Sequence, residues 1–113
     1  MSDCIFCKII AGEIPSRKAY EDDTVLAFYD IQPAASTHIL VIPKEHIPSA
    51  ASLGEEHAAL LGHIFAVIAK LSKELRLTDG FRIVSNVGEQ AGQTVFHLHF
   101  HLMAGHAPPW PLG

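Results

Sequence analysis

The residues with the clearest chemical potential are three histidines at alternate positions: His97, His99 and His101. In an extended strand, side chains at i, i+2 and i+4 point to the same face of the sheet, so this spacing predicts a row of adjacent imidazoles. The apolar residues between them would then fill the opposite, buried face: Phe96, Leu98, Phe100 and Leu102. Such a row on one face of a core strand indicates an active site or a metal site.

His99 lies in the middle of this row, where neighbouring groups on both sides could orient it. A neutral imidazole can attack phosphorus and form a phosphohistidine that water hydrolyses, and a hydrogen bond to its other ring nitrogen would fix the tautomer. A further histidine could protonate the leaving group. Histidines at i and i+2 also commonly share a zinc ion. The segment has no adjacent Asp or Cys to complete a hydrolytic metal centre, which favours covalent catalysis without a metal.

A glycine-containing loop, residues 86–94, directly precedes the histidine row. Gly88 and Gly92 would allow backbone amides to approach an anion closely, and Gln93 and Thr94 add neutral hydrogen-bond donors. Neutral donors suit a phosphoryl group whose negative charge grows in the transition state. Taken alone, such a segment is typical of an ordinary surface loop. Beside three histidines it predicts a phosphate-binding loop.

Cys4 and Cys7 have the C-x-x-C spacing. Such a pair could be half of a zinc site, a redox pair, or two small apolar residues in a first helical turn. No strand is predicted before Cys4, which disfavours a thioredoxin-like motif. His38 and His46 flank a β-branched segment, and each taken alone is more typical of a structural histidine. The same interpretation applies to His57, His63 and His106.

The composition predicts a single globular domain spanning residues 1–113, because the chain has 113 residues and 49% of them are hydrophobic. A net charge of -4 disfavours sequence-independent binding to nucleic acid, which needs a basic surface. The N-terminus lacks the basic and apolar regions of a secretion signal, and the longest apolar run, residues 64–69, is too short to span a membrane. A cytoplasmic protein without nucleic-acid or membrane partners is expected.

The elements that position these residues follow from hydrophobic periodicity. A short helix is predicted from residue 5 to Gly12. Strands are predicted over residues 17–21, 24–30, 38–42, 81–85 and the histidine row. Together with one long helix, these elements predict an α+β domain built on an antiparallel sheet.

The long helix is predicted to begin after Ser52 and Glu55, which have the spacing of a capping box, and to extend to about Leu77. Phe65 and Ala66 widen its apolar stripe. A stripe wider than one buried face indicates a partner on a second face of the helix.

These segments resemble the histidine triad superfamily, and in particular its histidine triad nucleotide-binding branch. The defining pattern His-φ-His-φ-His-φ-φ, where φ is hydrophobic, is matched by residues 97–103. Segments 4–10, 26–31 and 37–44 are similar to the family as well. The ending Trp110-Pro111-Leu112-Gly113 is similar to the Trp-Pro-Pro-Gly terminus of that branch, which the diadenosine polyphosphate hydrolase branch does not share.

The resemblance implies a five-stranded antiparallel sheet with one long and one short helix. It implies a homodimer whose long helices pack together and whose sheets join into one of ten strands. It also implies a purine nucleotide pocket. Its base and ribose contacts would be Ile5, Phe6, Ile9, Phe28, Asp30 and Ile31, with Asp30 on the ribose hydroxyls. Its α-phosphate contacts would be Asn86, Gly92, Gln93 and Thr94.

In family terms His99 is the nucleophile, His97 and His38 orient the network, and His101 contacts the phosphate and assists proton transfer. Some bacterial relatives are also similar at the cysteines, where a structural zinc is bound. The corresponding ligands in this chain would be Cys4, Cys7, His46 and His97. Two small buried cysteines without a metal are the alternative.

The implied activity is hydrolysis of purine nucleoside 5′-phosphoramidates, and related acyl-adenylates, to the nucleoside monophosphate through a nucleotidyl-histidine. No cofactor is needed for this catalysis, and the zinc would be structural. One alternative is a dinucleoside polyphosphate hydrolase. Another is a nucleotide-binding regulatory protein whose turnover is incidental.

Overall fold

The structure is a computed structural model that describes residues 3–105. The residues His106 and 110–113, which the sequence analysis singled out, lie outside this range. Two helices lie on opposite faces of one sheet: α1 spans Ile5–Ile10 and α2 spans Ala58–Glu74. The strands are β1 (Lys18–Glu21), β2 (Val25–Tyr29), β3 (Thr37–Pro43), β4 (Arg82–Val84) and β5 (Phe100–Ala104). All pairs are antiparallel in the order β1-β2-β3-β5-β4, which confirms the predicted sheet.

Alternation along the central strands β2 and β3 divides the core into two layers. The layer under α2 contains Val25, Ala27, Ile39 and Val41. The layer under α1 contains Leu26, Phe28, Leu40 and Ile42. Both faces of these strands are therefore buried, which explains their nearly continuous apolar sequences.

The register of the sheet fixes which residues lie beside the last member of the histidine row. His101 in β5 is opposite Leu40 in β3, Leu40 is opposite Phe28 in β2, and Phe28 is opposite Lys18 in β1. Residues directly opposite each other point to the same side of a sheet. This register places His101 on the α1 side, next to the apolar residues that α1 covers.

Helix α2 begins later than its sequence predicts. The chain first forms two short 3₁₀ turns, Ala50–Ser52 and Glu55–His57, and the α-helical segment starts at Ala58. The capping box predicted at Ser52 is wrong, because Oγ of Ser49 caps the first turn and Nδ1 of His57 accepts the Gly54 N–H at 3.0 Å.

The apolar stripe of α2 is confirmed, since Ile64, Val67, Ile68 and Leu71 are all buried. The side chain of Phe65, which widens this stripe, remains 43% exposed. No helix within residues 3–105 is long and apolar enough to cross a membrane.

Candidate active site

The histidine row has the two-faced arrangement that its spacing predicts. Only His101 lies within β5, while His97 and His99 lie in the segment just before it. The rings of His97 and His99 both contact Phe6 of α1, with centroids 5.9 and 5.2 Å away, and the ring of His99 contacts that of His101 at 5.0 Å. The alternate residues Leu98, Phe100 and Leu102 are buried in the α2 layer.

Phe96 does not follow this pattern, and its predicted burial is wrong. Its side chain is 50% exposed and lines a cavity of about 370 Å³ together with Cys4 and His46. Phe96 precedes β5 by four residues, outside the strand pairing that imposes the alternation. Leu98 also precedes β5, but its N–H donates to the Ile47 carbonyl at 2.6 Å, which holds that part of the segment.

The tautomer of His99 follows from its hydrogen bond to the main chain. Its Nδ1 lies 2.7 Å from the carbonyl oxygen of His97. A carbonyl only accepts, so Nδ1 carries the proton and Nε2 of the neutral ring carries the lone pair. The His99 carbonyl in turn accepts the Ser85 hydroxyl at 2.8 Å, which holds the backbone of this segment. His99 thus carries its lone pair on the ring nitrogen that makes no hydrogen bond within residues 3–105.

A chain of hydrogen bonds fixes the tautomer of His101 as well. The Ala34 N–H donates to Nδ1 of His38 at 3.0 Å, so the proton of the neutral His38 ring is on Nε2. That Nε2–H donates to Nδ1 of His101 at 2.9 Å. The proton of His101 is consequently on its own Nε2, which makes His101 a hydrogen-bond donor on the side opposite His38.

Both rings are neutral near pH 7, as this assignment requires. Burial lowers the pKa of His38, although the nearby Asp30 carboxylate raises it. Burial, together with the neighbouring His99 and His38, lowers the pKa of His101 to about 4. The Asp30 carboxylate lies 3.6 Å from Nε2 of His38, so an acidic side chain borders the same network.

A cavity of about 320 Å³ opens beside His99 and His101. Nine of the residues predicted to bind nucleotide line it: Ile5, Phe6, Ile9, Phe28, Asp30, Ile31, Thr94, His99 and His101. Its wall combines apolar side chains from α1 and β2 with the two imidazoles, and the Phe6 ring contacts that of His99. That arrangement can bind a molecule with a flat apolar part and an anionic part.

Sequence reasoning missed seven further residues of the cavity wall: Ile14, Pro15, Ser16, Tyr29, Gln32, Leu40 and Val95. For Leu40 a signal existed, because it is two residues from His38 and hence on the same face of β3. Ile14, Pro15 and Ser16 follow α1 in a segment without periodicity, so only the folded chain shows their position.

Three predicted phosphate contacts lie outside the cavity wall: Asn86, Gly92 and Gln93. Asn86 Nδ2 donates to the Ala91 carbonyl, and Gly92 turns the chain at φ +93°. The buried Gln93 side chain donates to the carbonyls of Pro48 and Val95 and accepts the Gly88 N–H. These bonds brace the loop that carries Thr94, and phosphate binding by the three residues stays a prediction.

His97 faces a different group of side chains, the Cys–His cluster of Cys4, Cys7, His46 and His97. Its Nε2 lies 2.8 Å from the Pro43 carbonyl and is protonated, which leaves the Nδ1 lone pair facing the cluster. This Nδ1 lies 3.4 and 3.6 Å from the sulfurs of Cys4 and Cys7 and 3.2 Å from Nδ1 of His46. All four ligand atoms lie within 4.8 Å of one another.

The thiols of this cluster are partly buried. Burial, together with the neighbouring Cys4 sulfur, raises the pKa of the Cys7 thiol to about 11. The Cys7 N–H also donates to the Cys4 sulfur at 3.3 Å, which caps the start of α1. The cluster therefore joins the first helix to the segment before β5.

Comparisons with known proteins agree with this geometry. The model of the HIT domain family matches residues 11–107. A solved HIT family hydrolase from Clostridium thermocellum is 45% identical, with a TM-score of 0.93 over 99% of each chain. A histidine triad nucleotide-binding protein from Candida albicans is 39% identical, with a TM-score of 0.82 over 98% of this chain and 85% of its own. The 14 kDa zinc-binding protein of Zea mays is 46% identical over 99% of this chain and 89% of its own.

The family match covers most of the chain, and it includes the histidine row, the strands that flank it and the loop that precedes it. The solved hydrolase also matches in fold over nearly its whole length. This chain therefore belongs to the HIT domain family.

Proposed function

We propose that this protein is a nucleotide-binding hydrolase that cleaves purine nucleoside 5′-phosphoramidates and related acyl-adenylates to nucleoside monophosphates. One observation carries the proposal: His99, with its lone pair on Nε2, lines the same cavity as His101, whose Nε2–H is a donor. A nucleophile and a neutral donor on one wall suit attack on a phosphorus atom. The names of the solved relatives, a hydrolase and a nucleotide-binding protein, support both parts of the proposal.

The reaction proceeds in two balanced steps. Nε2 of His99 attacks the α-phosphorus, the P–N bond breaks, and the departing nitrogen takes up a proton from solvent to leave as the amine. Water then attacks the nucleotidyl-histidine, the N–P bond breaks, and one proton returns to solvent. His101 donates a hydrogen bond to the phosphoryl group in both steps, and the His97 carbonyl positions the His99 ring.

The cavity supplies the nucleotide contacts. The purine lies among Ile5, Phe6, Ile9 and Phe28, and Ile31 closes the wall nearby. The Asp30 carboxylate accepts from the ribose hydroxyls, a task for which its two oxygens are suited. Thr94 donates to the α-phosphate beside the imidazoles. The ligand would extend from these apolar side chains to the histidines.

The experiment that tests this function is trapping of the covalent intermediate. The protein would be mixed with an adenosine 5′-phosphoramidate, quenched in base, and digested for mass spectrometry. We expect an added adenylate on His99 alone. An adduct on another histidine, or turnover without any adduct, would contradict the mechanism. Faster turnover of a diadenosine polyphosphate than of the phosphoramidate would favour the dinucleoside polyphosphate hydrolase instead.

We also propose that the Cys–His cluster holds a structural zinc. In a tetrahedral site with Zn–S of about 2.3 Å and Zn–N of about 2.05 Å, S···N distances are about 3.6 Å and N···N distances about 3.3 Å. Here three S···N distances are 3.3–3.6 Å, the N···N distance is 3.2 Å, and all four ligand atoms lie within 4.8 Å of one another, so these side chains fit the ion. Two cysteines and two histidines form a closed ligand set, as in structural zinc sites. The ion would join α1 to the sheet.

Elemental analysis of the purified protein tests the zinc proposal directly. We expect one zinc per chain in the wild type and none in the double variant C4S/C7S. Zinc retained by the double variant would place the ion elsewhere. Since thiols persist in a reducing compartment, the zinc proposal agrees with action in the cytoplasm.

The proposed assembly is a homodimer. Phe65 of α2 is 43% exposed and Ile83 of the edge strand β4 is 39% exposed, so both the helix and the sheet edge present apolar side chains to a partner. Pairing of two β4 edges would join two five-stranded sheets into one of ten strands. Light scattering coupled to gel filtration would show twice the mass of the 12.3 kDa chain.

A further inference from the structure

The hydroxyl of Ser16 has an unusual environment in the wall of the nucleotide cavity. Ser16 lies between α1 and β1 and lines the cavity together with Ile14 and Pro15. Its Oγ is buried and is the one buried side-chain oxygen or nitrogen within residues 3–105 that has no hydrogen-bond partner. Buried polar atoms in native proteins almost always have a partner, so this exception calls for an explanation.

The register of the sheet shows to which side of the sheet Ser16 points. The Tyr29 N–H donates to the Arg17 carbonyl at 2.9 Å, and Lys18 is opposite Phe28. If this register is extended by one more residue, Ser16 falls opposite Asp30. Cross-strand neighbours share a face of the sheet, so Ser16 and the proposed ribose ligand point to the same side.

The order of strands gives the direction along the cavity. The imidazole end lies at β5, Asp30 follows β2, and Ser16 precedes β1, the strand farthest from the imidazoles on this side. A nucleotide with its phosphate at His99 and its ribose at Asp30 therefore extends its base toward β1 and α1. Ser16 is at the base end of the cavity.

The apolar side chains of the cavity wall, among them Ile5, Phe6, Ile9, Ile14 and Phe28, have no hydrogen-bonding atoms. Tyr29, which also lines the cavity, packs against the core layer under α2. Apolar walls bind any flat base, but they discriminate poorly among polar edges. A serine hydroxyl both donates and accepts, and it can change its direction by rotation about a single side-chain bond. It can therefore pair with a ring nitrogen or an exocyclic group of a purine.

We propose that Ser16 is a specificity-determining residue whose hydroxyl turns to hydrogen-bond the purine base of the bound nucleotide. The inference rests on the proposed function, because it assumes that a nucleotide occupies this cavity. Binding then supplies the partner that Oγ lacks in the free protein. Ser16 contributes to binding of the base and to none of the contacts of the ribose or phosphate.

The test compares AMP with ribose 5-phosphate by isothermal titration calorimetry. Ser16→Ala should weaken AMP binding about tenfold, which corresponds to about 1.4 kcal/mol, and leave the affinity for ribose 5-phosphate unchanged. Ser52→Ala, a change at an exposed serine away from the cavity, should alter neither affinity. The melting temperature of the Ser16→Ala protein should equal or exceed that of the wild type, because no structural hydrogen bond is lost.

Three outcomes would overturn the inference: unchanged AMP binding, equal weakening of AMP and ribose 5-phosphate, or a lower melting temperature of the Ser16→Ala protein. Equal weakening would mean that the hydroxyl serves the ribose or Asp30. A lower melting temperature would mean that it has a structural partner. Failure of the wild type to bind either ligand would instead overturn the proposed nucleotide site itself, so the two failures are distinguishable.

Discussion

Replacing His38 tests whether a hydrogen bond, rather than simple packing, prepares His101 for catalysis. His38 is buried, and its Nε2–H donates to Nδ1 of His101 at 2.9 Å. His38→Phe keeps a ring in this space but removes the donor. His38→Gln is the matched variant, because its side-chain NH₂ can still donate to Nδ1 of His101. The comparison therefore separates the hydrogen bond from the volume of the side chain.

The magnitude follows from what His101 loses. Without a donor at Nδ1, the His101 proton can move to that nitrogen, and Nε2 then presents a lone pair to the phosphoryl group. A donor aimed at developing negative charge contributes about 2.7–4 kcal/mol, or about 10²–10³ in kcat. If the two tautomers of His101 became equally populated, the rate would fall only about twofold, because half of the molecules would keep the proton on Nε2. We expect a loss of about 10² for His38→Phe and less than about tenfold for His38→Gln.

The assay is kcat/KM for an adenosine 5′-phosphoramidate at pH 7, combined with ¹⁵N NMR of the His101 ring. The pKa of His101 is about 4, so the ring is neutral at this pH and its tautomer can be measured. Equal losses in the two variants would refute the reasoning. So would an His101 ring that keeps its proton on Nε2 in the His38→Phe protein despite the lower activity.

Four further predictions concern the nucleophile, the metal, the dimer and stability. His99→Gly should abolish hydrolysis while AMP affinity, measured by calorimetry, changes little; residual turnover near the wild-type rate would contradict the role of His99. Removing zinc with a chelator should lower the melting temperature of the wild type and not that of C4S/C7S, because the ion would stabilise the folded state by mass action. Phe65→Glu should yield monomers in light scattering, whereas Phe96→Glu, at a residue of similar exposure, should not. Asp22→Asn should lower the free energy of unfolding by about 1–2 kcal/mol near pH 7, with Asp23→Asn as the exposed control. Burial raises the pKa of Asp22, but hydrogen bonds from Tyr20 and His63 outweigh it and lower the pKa overall. The Asp22 carboxylate therefore stabilises the folded state above the unfolded pKa of about 3.9, and this contribution is lost as the pH falls through the lower folded pKa. The free energies of unfolding of Asp22→Asn and Asp23→Asn should therefore become equal in acid.

The sequence predicted features that depend on local periodicity. Alternation placed Leu98 and Phe100 opposite the histidines, and the helical spacing of Ile64, Val67 and Leu71 located the buried stripe of α2. Each of these patterns needs only the regular geometry of one strand or one helix.

Features that depend on where neighbouring segments meet were not predictable in this way. The exposure of Phe96 depends on where pairing of β5 begins, and the start of α2 depends on two 3₁₀ turns that a serine at position 49 caps. The place of Ser16 in the cavity wall depends on how the chain between α1 and β1 runs beside the end of β2. The sequence also did not show that backbone groups occupy both the donors and the acceptor of the Gln93 side chain.

His97 shows why a row of three equivalent imidazoles becomes a site with three different roles. Its Nε2 is committed to the Pro43 carbonyl, its Nδ1 faces the sulfurs of the Cys–His cluster, and its own carbonyl fixes the tautomer of His99. The ring of His97 is completely buried and is absent from the cavity wall, so it cannot itself contact a substrate there. In the proposed mechanism, its contribution to catalysis passes instead through the main chain. A hydrogen bond to a backbone carbonyl can fix the His99 ring only if that backbone is itself fixed. The backbone at His97 is fixed through the His97 ring, which contacts the Cys–His cluster on one side and the Pro43 carbonyl on the other. In the proposed mechanism the first histidine of the row is therefore a positioning residue, and the position it fixes is that of His99.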